Sequence, residues 1–172
     1  MCASPRSRGT SSSASARSRP TLGERVALLV ATVAGTGYSP VAPGTAGTAV
    51  TVLLLWLVPF SRAGLVAFFV VVTLAGTWAA HRAERVLGAK DPGAIVVDEV
   101  AGMTLAVLPF APTLPTLAAG FVLFRVLDIV KPPPARASQR VPGGVGVMVD
   151  DLIAGAYTAL GLAALRALTG WP

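Results

Sequence analysis

Residues 63–80 have the sequence AGLVAFFVVVTLAGTWAA, which is uncharged and interrupted only by threonine and glycine. This stretch just reaches the roughly 18 residues that a helix needs to cross a bilayer. The whole chain has the same character, because 53% of its 172 residues are hydrophobic and its mean hydropathy is +0.70. These features predict an all-α, multi-helical integral membrane protein.

Apolar segments on both sides of this stretch predict further helices. Residues 21–34 are predicted to form a short helix that begins with a capping box. Residues 49–60 are apolar but short for a span. Residues 35–48 are too rich in glycine and proline for a regular helix. Residues 152–168 are predicted to form the last helix.

Three prolines interrupt the apolar segment 101–124, namely Pro109, Pro112 and Pro115. Each flank is too short to cross a bilayer, so we predict a re-entrant or broken helix there. The 82–90 and 131–140 loops are basic and are expected on the cytoplasmic side. With two spans between residues 45 and 80, this topology places all the acidic stretches on one face.

The first 20 residues are rich in serine and arginine and contain no acid. We predict a disordered cytoplasmic tail at 1–20, with an organelle-targeting segment as the alternative, followed by one membrane-embedded domain at 21–172. The tail holds four of the six net positive charges, which leaves about +2 on the domain. This balance argues against a nucleic-acid-binding domain. The only cysteine, Cys2, excludes an internal disulfide.

The most informative residues for function are acidic. Only eight acids occur in the chain, and five of them fall in three short apolar stretches: Asp98, Glu99, Asp128, Asp150 and Asp151. Five unpaired carboxylates in hydrocarbon would cost roughly 12–18 kcal/mol, comparable to the stability of a whole domain. They must therefore meet water, cations or each other, most simply in one shared site at the membrane surface.

An all-oxygen site favours a hard cation, and Mg²⁺ fits best because it binds through carboxylates, water and substrate phosphate. Zinc is disfavoured, since His81 is the only histidine. We predict Asp98, Asp150 and Asp151 as metal ligands, with Glu99 or Asp128 as the general base.

Two further patterns have both a structural and a functional interpretation. Arg125, Asp128 and Lys131 are spaced to share a helix face, either as a salt-bridge ladder or as a metal ligand beside two phosphate-binding cations. The glycines and hydroxyls of residues 35–48, including Thr45, form either a flexible turn or a phosphate cradle.

The acids are also compatible with roles that involve no catalysis. Asp98 and Asp150 each precede an apolar helical run and are suited to cap it. Capping alone would make the protein a membrane scaffold. Intramembrane carboxylates also mark ion pathways, so a small cation- or proton-coupled carrier is the rival function.

Four ordered blocks of the sequence resemble the signature motifs of the phosphatidylglycerophosphatase A family. The blocks are Gly35-Thr-Gly-x-Ser-Pro-x-Ala-Pro-Gly-Thr-x-Gly47, Asp91-Pro-x-x-Ile-Val-x-Asp-Glu-x-x-Gly-Met103, Phe124-Arg-x-x-Asp-x-x-Lys-Pro132 and Gly143-Gly-x-Gly-x-Met-x-Asp-Asp-x-x-Ala-Gly155. Together they cover about residues 22–168.

The resemblance implies a helical, magnesium-dependent lipid phosphatase of a bacterial inner membrane. Such an enzyme would convert phosphatidylglycerophosphate to phosphatidylglycerol and phosphate at the cytoplasmic face. Carried over by motif, the five acids named above would form the catalytic site. Arg125 and Lys131 would bind the substrate phosphate, with Thr45 nearby.

Overall fold

The computed structural model describes residues 20–138 and 141–170. The predicted tail at 1–20 lies outside these ranges except for Pro20. Within the described residues the fold is all-helical, as predicted. Its elements are α1 (Leu22–Ala31), a 3₁₀ turn (Thr36–Tyr38), α2 (Pro43–Leu57), α3 (Arg62–Leu87), α4 (Val97–Val107), α5 (Leu114–Val130), α6 (Ala135–Ser138) and α7 (Gly144–Thr169).

Three helix boundaries differ most from the prediction. Helix α2 begins at Pro43, inside the segment we assigned to an irregular loop. Proline is well suited to the first helical position, and the hydroxyl groups of Thr48 and Thr51 donate to carbonyls within the helix. Helix α3 continues to Leu87 instead of ending near Ala80.

Helix α7 begins at Gly144, eight residues before the predicted start at Leu152. A Cβ atom at Gly144 would collide with the backbone of Thr77 on α3. Gly144, which lies before the predicted helix, is therefore required for the close crossing of α7 and α3. Tertiary packing here overrides the low helix propensity of glycine.

The predicted break within residues 101–124 is confirmed. Helix α4 ends at Val107, and α5 begins at Leu114 with Thr113 as its cap and Pro115 in its first turn. With 11 residues, α4 is about 16 Å long. That length is about half the thickness of a hydrocarbon core, so α4 and α5 form a helical hairpin whose first arm is too short to span.

Among the described residues, two helices are long and apolar enough to cross a membrane by length and composition, α3 and α7. Large apolar side chains are exposed along the bundle, such as Leu74 at 68% and Val122 at 62%. Such an apolar exterior is unusual for a soluble protein and typical of a lipid-facing one.

Glycine contacts bring α4 and α7 close together. A Cβ atom on Gly102 would lie 2.6 Å from the carbonyl oxygen of Asp151, and one on Gly155 would collide with the backbone of Gly102. The two helices therefore touch backbone to backbone. This contact places the first turn of α4 beside the second turn of α7, where the acidic residues lie.

Candidate active site

A polar cavity of about 360 Å³ lies where the first turn of α2, the first turn of α4, the last turns of α5 and the second turn of α7 meet. All five predicted acids line it, together with both predicted cations. The lining residues are Ala42, Pro43, Gly44, Asp91, Gly93, Ile95, Asp98, Glu99, Arg125, Asp128, Ile129, Lys131, Asp150 and Asp151. The distant acidic stretches therefore converge, as the sequence predicted.

Three carboxylates in this cavity lie close enough together to hold a metal ion. Single oxygen atoms of Asp98, Glu99 and Asp151 lie within 4.8 Å of one another, and all three residues are buried. Within residues 20–138 and 141–170, Oδ1 of Asp98, Oε2 of Glu99 and Oδ2 of Asp151 have no hydrogen-bond partner. Buried, unsatisfied carboxylate oxygens are costly, and a hard cation would satisfy all three.

This group of three shares Asp98 and Asp151 with the predicted metal ligands and includes Glu99 as its third member. Oδ2 of Asp150 accepts a hydrogen bond from the Lys131 ammonium at 2.5 Å, and the metal role of Asp150 stays a prediction. Asp150 therefore lies beside these three carboxylates and forms an ion pair with Lys131.

Arg125 and Lys131 form an ion-pair network around Asp128. Nη1 of Arg125 lies 2.8 Å from Oδ2 of Asp128 and 3.8 Å from Oε1 of Glu99. Nζ of Lys131 lies 3.8 Å from Oδ1 of Asp128. Burial lowers the pKa of Lys131, but its hydrogen bond to Asp150 and the nearby carboxylates together raise it more, so the pKa lies above its ordinary value. The Lys131 ammonium is thus held charged at the cavity.

The first turn of α2 forms a third side of the cavity. Ala42 adopts a left-handed conformation (φ 46°) and no side chain caps the helix. The first N–H groups of a helix have no partner within it and attract anions. Gly44 lines the cavity, and a Cβ atom there would collide with Glu99 and crowd the Arg125 guanidinium. Glycine thereby lets this backbone approach the charged groups.

The capping interpretation of the acids is wrong. Asp98 is the second residue of α4, whose N-cap is Val96, and no side chain caps that helix. Asp150 lies about two turns inside α7. Neither acid can serve as an N-cap from these positions.

Thr45 and His81, unlike the five acids, do not line the cavity. Thr45 is half-buried next to Gly44 but is not among the residues that line the cavity. His81 is exposed and packs near Gly143, also away from the lining.

Our selection of site residues omitted Asp91 and Gly44. Asp91 follows a polar loop, where an acid is unremarkable by composition, and Gly44 has no chemistry of its own. Both nevertheless belong to the motif blocks that carry the resemblance, at Asp91-Pro and at Pro-Gly-Thr. Their positions in those blocks were the available signal.

The cavity carries a strong excess of negative charge. Six carboxylates face two cationic side chains among its lining residues, a formal excess of four. Such a site can hold a metal ion, and the adjoining cations and helix N-terminus can hold an anion beside it. Fold and site together define a helical protein with two potential membrane spans and a cavity suited to phosphate-ester hydrolysis.

Comparisons with known proteins agree with this class. The sequence profile of the family described as Phosphatidylglycerophosphatase A matches residues 29–166. The chain therefore belongs to the phosphatidylglycerophosphatase A family, and it is a phosphatase.

Three relatives cover most of the chain. A protein of Bacteroides thetaiotaomicron named "Putative phosphatidylinositol-3-phosphatase" is 39% identical over 83% of this chain and 95% of its own. The phosphatidylglycerophosphatase A of Escherichia coli is 38% identical over 76% and 78%. That of Haemophilus influenzae is 34% identical over 80% and 87%. No solved structure matches the chain significantly.

Proposed function

We propose that this protein is a magnesium-dependent lipid phosphatase that hydrolyses phosphatidylglycerophosphate to phosphatidylglycerol and phosphate in phospholipid biosynthesis. The observation that carries the proposal is the meeting of Asp98, Glu99 and Asp151 beside Arg125 and Lys131 in one cavity. Family membership supports the substrate, and the oxygen-only ligands support Mg²⁺ over zinc.

Asp98 and Asp151 are the best candidates to hold the metal ion, with Glu99 close enough to join them. Bound there, a divalent cation would supply charge neutralisation for the transferred phosphoryl group and activation of water.

The chain itself supplies the groups that bind the phosphate. Arg125 and Lys131 face the cavity, and Asp128 and Asp150 hold them there through ion pairs. The N-terminus of α2 faces the same space at Gly44. Preorganised cations and backbone N–H groups stabilise charge that develops on phosphate oxygens in the transition state.

Glu99 is the better candidate to accept the proton of the attacking water. Both oxygens of Asp128 face cations, Arg125 at 2.8 Å and Lys131 at 3.8 Å. Glu99 keeps Oε2 without a hydrogen-bond partner in the described part of the chain. We therefore assign proton acceptance to Glu99 and a positioning role to Asp128.

We place the protein in a bacterial inner membrane as a multi-pass protein, with the active site facing the cytoplasm. The basic residues at the end of α3 and in the following loop lie on the same end of the bundle as the cavity. An excess of basic residues marks the cytoplasmic side. The acyl chains of the lipid would then stay in the bilayer while the headgroup enters the cavity.

Removal of divalent cations tests the metal requirement. Purified protein in detergent should release phosphate from phosphatidylglycerophosphate with Mg²⁺, and EDTA should abolish the release until excess Mg²⁺ restores it. Phosphatidic acid and phosphatidylinositol 3-phosphate are the comparison substrates. Undiminished release in EDTA would exclude the metal mechanism. No release from any lipid phosphate would exclude the enzyme and favour the rival carrier.

Replacement of Arg125 tests the phosphate-binding side of the cavity. Arg125→Gln removes a cation that offsets six carboxylates, so we expect kcat/KM to fall about 100-fold. Arg125→Lys keeps the charge but loses the planar fork, and should recover only part of the loss. Arg85→Gln is the matched control, since Arg85 is exposed outside the cavity. Equal activity of Arg125→Gln and Arg85→Gln would contradict the assignment.

A further inference from the structure

Asp91 lies on the rim of the active-site cavity, seven residues before Asp98 and in the same motif block. Asp91 also lines a second cavity of about 270 Å³, which extends away from the metal group between α3 and α7. Its carboxylate therefore stands at the boundary between the phosphate-binding space and a neighbouring polar space.

The backbone of Asp91 is held in an unusual conformation. Asp91 has φ 44°, a left-handed value that costs a non-glycine residue roughly 1 kcal/mol or more. Its N–H group donates to Oε1 of Glu84 at 2.8 Å. The backbone carbonyl of Glu84 also accepts from Gly88 at 2.9 Å and from Ala89 at 3.3 Å. One residue at the end of α3 thus fixes the turn that carries Asp91.

The carboxylate of Asp91 is available to a ligand. It is exposed at the rim, and no ion pair or hydrogen bond to its oxygens is formed within residues 20–138 and 141–170. It is also not a member of the group of three acids that can hold a metal ion. A carboxylate accepts hydrogen bonds and donates none when ionised, so its natural partner in a headgroup is a hydroxyl.

Two lipid headgroups carry such a hydroxyl. A terminal glycerol phosphate and an inositol 3-phosphate, the headgroups named for the relatives, both carry a hydroxyl on the carbon next to the phosphate ester. Phosphatidic acid carries an acyl ester there instead. Arg125, Lys131 and Asp91 line the same cavity, so a headgroup whose phosphate is held by the two cations shares that space with Asp91.

We propose that Asp91 is a specificity-determining residue, whose carboxylate accepts a hydrogen bond from the hydroxyl next to the scissile phosphate ester. Glu84 is a positioning residue that holds Asp91 in place. The site thereby selects polyol-phosphate headgroups over phosphate esters that lack this hydroxyl. This inference rests on the proposed lipid phosphatase function and adds the feature of the substrate that the site recognises.

A matched pair of substrates tests the proposal. Phosphatidylglycerophosphate is compared with its 2′-deoxy analogue, in which 1,3-propanediol replaces the terminal glycerol. Wild type should favour the hydroxyl-bearing lipid in kcat/KM by about 10- to 100-fold, the range of a hydrogen bond to a charged group. Asp91→Ala should reduce this ratio to about 1, because kcat/KM should fall more for the hydroxyl-bearing lipid than for the analogue.

The outcomes separate this inference from the function on which it rests. An unchanged ratio in Asp91→Ala, or an equal loss on both substrates, would overturn the role of Asp91 while the phosphatase activity stands. Failure of the wild type to release phosphate from either lipid would overturn the proposed function as well.

Variants of Glu84 test the positioning role separately. Glu84→Gln keeps a side-chain carbonyl that can accept from the Asp91 N–H, so it should keep the wild-type substrate ratio. Glu84→Ala should lower the ratio toward that of Asp91→Ala, with magnesium dependence retained. Loss of the ratio in Glu84→Gln, or its retention in Glu84→Ala, would show that this hydrogen bond does not set the selectivity.

Discussion

Asp98→Asn should abolish magnesium-dependent phosphate release, with a loss of at least about 1,000-fold. Each tenfold loss corresponds to about 1.4 kcal/mol of transition-state stabilisation, and a bound metal ion supplies several kcal/mol. Asparagine keeps the shape of the side chain but removes the charge that holds the cation. Asp151→Asn should behave in the same way, because both carboxylates belong to the buried group of three. The measurement is phosphate release across a magnesium titration.

The stability of the same variants distinguishes loss of chemistry from loss of fold. In EDTA the buried acids repel one another, so removal of one charge should leave the thermal unfolding midpoint unchanged or raise it. Glu24→Gln is the control, since Glu24 caps α1 away from the cavity and glutamine also fits a capping box. Wild-type turnover in both Asp98→Asn and Asp151→Asn would refute the proposed metal site.

Gly155→Ala should reduce activity at least about 100-fold although residue 155 does not line the cavity. The added methyl group meets the backbone of Gly102 on α4, which cannot move aside as a flexible side chain would. Such overpacking costs about 1–3 kcal/mol and pushes α7 away from α4. Displacement of Asp151 from Asp98 and Glu99 by about 1 Å is enough to lower a rate about 100-fold. The midpoint magnesium concentration for activity should rise as well.

Gly161→Ala provides the matched control on the same helix. A Cβ atom there would lie 2.6 Å from Cδ2 of Leu123, the far end of a side chain that can rotate. We expect activity within about twofold of wild type, since surface or adaptable sites usually change little. Similar activity losses in both variants would show that α7 is generally intolerant and that the contact at Gly102 has no special role.

The convergence of the five acids was predictable because the residues around them in the sequence provide no partners for their charges. In a sequence with 13% charged residues, carboxylates at 98–99, 128 and 150–151 need partners that the surrounding apolar residues cannot provide. The break at Pro109–Pro115 was equally predictable, since proline interrupts helical hydrogen bonding. These two arguments led to the broken hairpin and the shared site.

The finer arrangement depended on contacts between distant residues, which local patterns do not contain. The pairing of Lys131 with Asp150 joins residues 19 apart, so spacing along the chain could not reveal it. The helices that begin at Pro43 and Gly144 likewise depend on close contacts with distant residues. Those contacts leave no room for a Cβ atom at Gly44 or Gly144. Glycine-rich segments resemble loops until the backbone against which they pack is known.

Helix α7 contributes Asp150 and Asp151, and its first residue lies 100 positions after Gly44 in the chain. No fragment that stops before α7 contains the complete cavity, even if its earlier helices are correctly inserted. Newly synthesised protein would therefore remain inert until α7 docks against the earlier helices. Turnover of lipid phosphate thus also reports that this docking has taken place.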